Sequence, residues 1–172
     1  MASLTYVTGD VTKPIRDEDR WILIPHITNN IGRWGAGVSG AIGRAFPKAE
    51  SDYRNRGHYA LGQTDFVIYP EHKIGIANMI AQHGIKPSRN TGTWMEAEDG
   101  PAIIRPPIRY AALATCMRTV RQYCYSDGKP WCDIHAARFG AGLAGGNWDI
   151  IESLILELWI DLDLNVTIYT LE

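Results

Sequence analysis

The chain has 172 residues, enough for one domain that buries roughly two-thirds of its unfolded surface. Its 17 Lys and Arg against 19 Asp and Glu leave a formal charge of −2 without long runs of one sign, which argues against a broad basic face for duplex nucleic acid and leaves room only for a local basic rim. Cys116, Cys124 and Cys132 have neither metal-ligand spacing nor an even count, so they are expected to be buried thiols in a reducing compartment, with no metal or cofactor implied.

Leu4 to Val7 forms a short strand pattern closed by Gly9-Asp10. No cleavable signal, lipidation motif or long apolar span accompanies it, so a cytoplasmic protein with no membrane partner is expected. Trp21 to His26 is nearly continuous in apolar residues, the pattern of a strand buried on both faces. Val38, Ala41, Ile42 and Ala45 give one helical stripe, and Pro47 stops that helix or starts the next, with a body from Lys48 to Arg54. Two further strands, Asp65 to Tyr69 and Lys73 to Met79, flank a turn at Pro70-Glu71-His72. Residues 86–107 are polar and rich in turn formers, long for an internal loop, and read either as a lid or as a disordered insertion.

Ile108 to Tyr125 is the longest helix pattern, with Ala111, Leu113, Ala114, Met117 and Val120 on its inner face. Trp131 to Ala136 is a strand. Asn147 caps a helix carrying Trp148, Ile151, Leu154, Ile155, Leu158 and Trp159 on one side, and Val166 to Leu171 is a final strand. Strands alternating with helices predict an α/β fold, a mixed sheet covered by helices on both faces. No repeat or linker divides the chain.

Two glycine-rich segments stand at strand-to-helix junctions: Thr28 to Gly40, containing Gly35-Ala36-Gly37, and Arg138 to Gly146, containing Gly140-Ala141-Gly142. Backbone N–H groups and a helix N-terminus converge on an anion at such places, and two of them suit a ligand with two phosphates. Neither is a full dinucleotide fingerprint, and no Gly-Lys-Ser/Thr loop points to ATP hydrolysis. Polar or glycine residues at four strand ends, Gly9-Asp10, His26 to Gly37, Ala81-Gln82-His83 and Arg138 to Gly146, fall where open α/β sheets collect ligands.

These residues resemble a known family. Gly9-Asp10-Val11-Thr12, an apolar strand ending in His26-Ile27-Thr28-Asn29-Asn30, and Gly35-Ala36-Gly37-Val38 opening a helix look like the macrodomain pattern. Arg138-Phe139-Gly140-Ala141-Gly142-Leu143, Trp148 and the Val166 to Leu171 strand extend the likeness over nearly the whole chain. The set is similar to the branch containing terminal ADP-ribose protein glycohydrolase and yeast-type ADP-ribose-1''-phosphate phosphatases. The resemblance implies one macrodomain over residues 1–172, a three-layer α/β/α sandwich with an insertion at 86–107, monomeric by default. Its ligand would be ADP-ribose or an ADP-ribosylated protein or nucleic acid.

On the family pattern, Asp10, beside Val11, would accept a hydrogen bond from the adenine amine. Gly35, Ala36, Gly37 and Val38 would clasp the diphosphate with Arg138, Gly140, Ala141, Gly142, Leu143 and Ala144, and Tyr169 would wall the adenine. Around the distal ribose would stand Asn29, Asn30, Gln82 and His83, with His26 matching a histidine implicated in water activation. Gln82 and Ala144 replace the lysine nucleophile and aspartate of the terminal glycohydrolase, which excludes that lysine-dependent route. Direct attack by water is left, on an ADP-ribosyl linkage or on ADP-ribose-1''-phosphate. The alternative is a reader that binds ADP-ribose without turnover. Lys86, Arg89 and Trp94 are candidates to contact a modified macromolecule.

Overall fold

Two long apolar runs make the middle of the sheet. The computed structural model, which describes residues 1–16, 19–85, 94–96 and 103–171, sets β2 (Trp21–Asn29) beside β4 (Ile74–Gln82) in parallel. Both are buried almost throughout, as a strand covered on two faces must be. The full order is β1 (Leu4–Thr8), β10 (Val166–Thr170), β9 (Cys132–Ala137), β2, β4 and β3 (Thr64–Tyr69). Every neighbouring pair is parallel except β3–β4 at one edge, where a short 3₁₀ turn at Pro70–His72 reverses the chain.

Side-chain alternation divides the core into two layers. Ile22, Ile24, Ile74 and Ile76 pack with Ile42 of α1 (Val38–Ala45) and Ala49 of α2 (Pro47–Arg54). Leu23, Ala77 and Met79 face the other way, onto Leu113, Met117 and Val120 of α3 (Tyr110–Tyr123) and Ile151 and Ile155 of α4 (Trp148–Leu158). The result is the expected three-layer α/β/α sandwich on a mixed sheet.

Local departures from the sequence reading have local causes. The helix expected to reach Tyr125 stops at Tyr123, because Asp127 and Gly128, both at positive φ, turn Tyr125–Ser126 (β7) back on Lys129–Pro130 (β8). Inside the segment read as one long loop, Trp94–Glu96 (β5) and Ile103–Arg105 (β6) pair as an antiparallel ribbon. Lys86 and Arg89 lie outside the described residues, and Trp94 is described in its backbone alone. All three cysteines are buried free thiols, and burial pushes the Cys116 thiol up. Among the described residues no helix is long and apolar enough to cross a membrane.

One irregularity places the site. β2 pairs with β9 only from Trp21 to Leu23, whereas its pairing with β4 runs on to Asn29. Pro25, two residues past that last rung, has no N–H to give to a ladder. Beyond Leu23 the two strands part, and chain connections leave them for opposite faces of the sheet.

Trp159 is fully buried between α3 and the sheet, with its indole N–H donating to Met117 O at 2.9 Å. Trp159→Ala is expected to lower unfolding free energy by about 3–5 kcal/mol, measured by urea denaturation. A loss below about 1 kcal/mol would show that this core collapses around the vacancy.

Candidate functional site

Where β2 and β9 part, a cleft of about 270 Å³ opens. It gathers His26, Asn29, Gln82, Gly35, Ala36, Gly37, Val38, Arg138, Gly140, Gly142, Leu143 and Ala144 from the residues expected on sequence, together with Ile27, Thr28, Ser39 and Phe139. A wider depression of about 710 Å³ lies on the β1–β10–β9 half of one sheet face, near the start of the strands, lined by Arg16, Arg20, Asp133 and His135 among others. Of the predicted residues it holds Tyr169 alone. The smaller cleft is therefore where the sequence signals coincide.

The glycine loops present bare amides to this cleft. Gly37 caps α1 at φ 62°, with no side chain bonded to the helix start. Among the described residues, the N–H groups of Gly35 through Gly40 make no hydrogen bond, and neither do those of Gly140, Gly142, Leu143 and Ala144. Open N–H groups on both sides, one set at a helix N-terminus, make a concavity for anionic oxygens. Gly140 is fixed by sterics as well as by φ (81°): a Cβ there would stand 2.8 Å from Ile108 Cδ1 and 3.0 Å from both Ile151 and Ile27. Phe139, buried against Trp148 and Trp159, wedges the loop from below.

His26 has a different place from the one expected of a general base. Its ring is buried, with Nε2 2.6 Å from Asn78 Oδ1 and Nδ1 3.0 Å from Ser39 Oγ. Asn78 Nδ2 donates to Ala49 O at 3.1 Å, so Oδ1 is the atom facing His26, and Nε2 carries the proton. Nδ1 is then the acceptor for the Ser39 hydroxyl. Burial lowers the His26 pKa to about 4, against a smaller opposing effect of Asn78. Both nitrogens are committed within the protein, and burial favours the neutral ring.

Asn29 is likewise occupied. Its Oδ1 accepts from the N–H groups of Ile31 and Arg33, Nδ2 donates to Arg33 O at 2.6 Å, and the Tyr53 hydroxyl donates to Asn29 O at 2.6 Å with Oδ1 also within 2.9 Å. Burial, with Tyr59 beside it, pushes the Tyr53 pKa up to about 12, which keeps that phenol a donor. Asn30 lies outside the cleft lining, holding the start of the β4 loop through Gly84 N and His83 Nδ1. Gln82 spends one amide hydrogen on Gly84 O at 2.9 Å and stands at the cleft with its carbonyl oxygen unbonded among the described residues.

Four other expected contacts do not line the cleft. Val11 is a core residue on the α1–α2 side. Ala141 spends its N–H on Arg138 O. Asp10 is exposed, its Oδ1 taken by Thr12 N and Oγ1, and those hydrogen bonds lower its pKa. Tyr169, expected as an adenine wall, is buried under Gly9. Its hydroxyl accepts from Ile15 N and is hydrogen-bonded to His135 Nδ1 at 2.7 Å, so the turn rests on it from below.

Arg138 brings positive charge to the rim. Its guanidinium carbon lies 5.4 Å from the Tyr6 ring and 5.5 Å from the Trp148 ring. Trp148 Nε1 donates to Tyr6 Oη, which donates in turn to Glu152. Ser39, Asn78 and Trp34 were missed on sequence. Asn78 alone left a signal, a lone polar residue in an apolar strand.

No protein-family model matches the chain. Solved structures do. A protein of unknown function from Bacteroides thetaiotaomicron is 34% identical, with a TM-score of 0.80 and 98% of each chain covered. A macrodomain protein from Streptomyces coelicolor is 30% identical, with a TM-score of 0.73, over 98% of this chain and 99% of that one. Thermosipho africanus DarTG, solved in complex with ADP-ribose, shares the fold at 15% identity and a TM-score of 0.68, over 98% of this chain and 42% of that one.

The neutral, buried His26 ties stability to pH. Its folded pKa, about 4, lies below the usual 6.5, so its contribution is complete above pH 6.5 and is lost as pH falls toward 4. Between pH 7 and 4.5 the wild type is expected to lose about 2 kcal/mol more unfolding free energy than His26→Gln, in parallel urea titrations. Equal losses would mean that His26 titrates alike in the folded and unfolded chain.

Proposed function

The chain belongs to the macrodomain family, and on that footing we propose that its cleft binds ADP-ribose, free or attached to a protein or nucleic acid, and hydrolyses the linkage at the distal ribose. The carrying observation is the pair of facing loops whose N–H groups are unbonded, Gly35 to Gly40 on one side and Gly140 with Gly142 to Ala144 on the other. Two such loops match the two phosphates of a diphosphate, and each N–H to a charged oxygen contributes about 1.5–3 kcal/mol. Arg138 at the rim adds charge, with no metal needed. The T. africanus protein, whose fold this chain shares, was solved with ADP-ribose, which supports the same ligand here.

The adenine lies toward Asp10, whose Oδ2 is the oxygen not engaged by Thr12. The distal ribose then lies toward Gln82 and Asn29. With glutamine and alanine at positions 82 and 144, the chain lacks the lysine–aspartate pair of the glycohydrolase branch that its sequence resembles. Water attacks the anomeric carbon, the bond to the attached group breaks, and that group leaves with the electron pair. The proton of the water passes to the leaving group or to a phosphate oxygen. The Gln82 carbonyl is placed to hold the attacking water, and positioning of this kind supplies several kcal/mol without a strong base. With ADP-ribose-1''-phosphate the water attacks phosphorus instead: the P–O1'' bond breaks, the ADP-ribose 1''-oxygen leaves with the electron pair and takes up the proton of the water, and inorganic phosphate is formed.

A second reading, a reader without turnover, is favoured by one observation. His26, the one imidazole among the described residues that line the cleft, has both ring nitrogens committed.

A Cβ at Gly142 would meet nothing within 4 Å, so Gly142→Val is expected to fold normally and to fill the cleft. Calorimetry should give ADP-ribose binding to the wild type and at least about tenfold weaker binding to the variant. Incubation with ADP-ribosylated protein, ADP-ribosylated DNA and ADP-ribose-1''-phosphate then separates the readings. Release of ADP-ribose supports hydrolysis, binding without release leaves the reader, and absence of binding overturns both.

A further inference from the structure

We propose that Asn78, His26 and Ser39 form a neutral hydrogen-bonded relay that holds the start of α1 in position for the ligand, with Ser39 as the positioning residue. The inference rests on the ADP-ribose reading above and adds residues that reading does not use.

The relay starts in the core and ends at the cradle. Ala49 O accepts from Asn78 Nδ2 at 3.1 Å, and Asn78 Oδ1 accepts from His26 Nε2 at 2.6 Å. His26 Nδ1 then accepts from the Ser39 hydroxyl at 3.0 Å. The Asn78 amide sets the direction of this line, and the one Ser39 hydroxyl proton lies between two acceptors, His26 Nδ1 at 3.0 Å and Ile27 O at 3.3 Å. Ser39 sits in the first turn of α1, where serine side chains commonly cap their own helix. Here the hydroxyl turns away from the helix to β2, where Ile27 O is also within 3.3 Å. The Ser39 carbonyl accepts from Trp34 Nε1 at 2.7 Å, and the Trp34 ring lies 5.1 Å from the His26 ring, edge to face.

The first turn of α1 is thereby tied to the sheet by its side chain and to the preceding loop by its carbonyl. Its N–H groups stay open, since no side chain caps them. That is the arrangement an anion needs: donors that are unbonded yet cannot swing away. A carboxylate in place of the neutral relay would repel the ligand. Asparagine, neutral histidine and serine transmit rigidity without charge.

Ser39→Ala removes the last link and leaves a good helix former. It is expected to bind ADP-ribose about tenfold more weakly, the weight of one buried neutral hydrogen bond, and to lower the thermal midpoint by a few degrees because His26 Nδ1 loses its donor. Adding His26→Gln to Ser39→Ala should weaken binding no further, because the two residues act as one unit. In the unliganded protein, amide exchange at Ala41, whose N–H bonds to Gly37 O, should speed up in Ser39→Ala. Exchange at Phe46, at the far end of the helix, should not. Wild-type binding with Ser39→Ala equally tight, or with additive effects of the two substitutions, overturns the relay. Faster Ala41 exchange in a protein that fails to bind ADP-ribose keeps the relay and overturns the ligand.

Discussion

The parting of β2 from β9 is the constraint on which the rest of the site depends. Three rungs join the strands, Trp21 to Leu23, and Pro25 then offers no N–H with which to continue. Had the ladder run on, the carboxyl ends of the two central strands would be closed against each other. Instead β2 goes on beside β4 alone, and its last residues line a cleft with the loop that follows β9. This is the crevice at which open α/β sheets take ligands, where successive connections leave for opposite faces.

Both walls of that crevice are built by spending polar side chains on structure. Asn29 closes its own loop, Asn30 fastens the β4 loop, and His26 is bound between Asn78 and Ser39. What faces the cleft afterwards is mostly backbone. A buried, neutral polar network is costly to break and holds its members in one arrangement, which suits a site whose donors are amides. The consequence for chemistry is direct. The cleft is better furnished to hold charged oxygens than to move protons.

Much of this was legible in the sequence, for physical reasons that differ by element. β2 and β4 announced themselves by unbroken apolar runs, and the glycine loops by their place between strand and helix. Side-chain roles were harder to see. A histidine ending a buried strand has the same one-letter signature whether it takes protons or anchors a neighbour. The difference lies in Asn78, some fifty positions away along the chain and brought beside it only by strand pairing, Asn78 standing opposite His26 itself. The place of Tyr169 was hidden for a related reason: strand alternation turns its ring to the face opposite α4, under Gly9. The β5–β6 ribbon was invisible because its two short strands lack a period long enough to stand out from the turn residues around them.

The central claim is that the two glycine loops hold one ligand between them, and amide NMR tests it most directly. Titration of labelled protein with ADP-ribose should shift the Gly35 to Gly40 and the Gly140, Gly142, Leu143 and Ala144 resonances together, along one binding curve, while Arg16, Arg20 and His135 in the wider depression stay still. Shifts confined to one loop, or centred on that depression, would contradict the account.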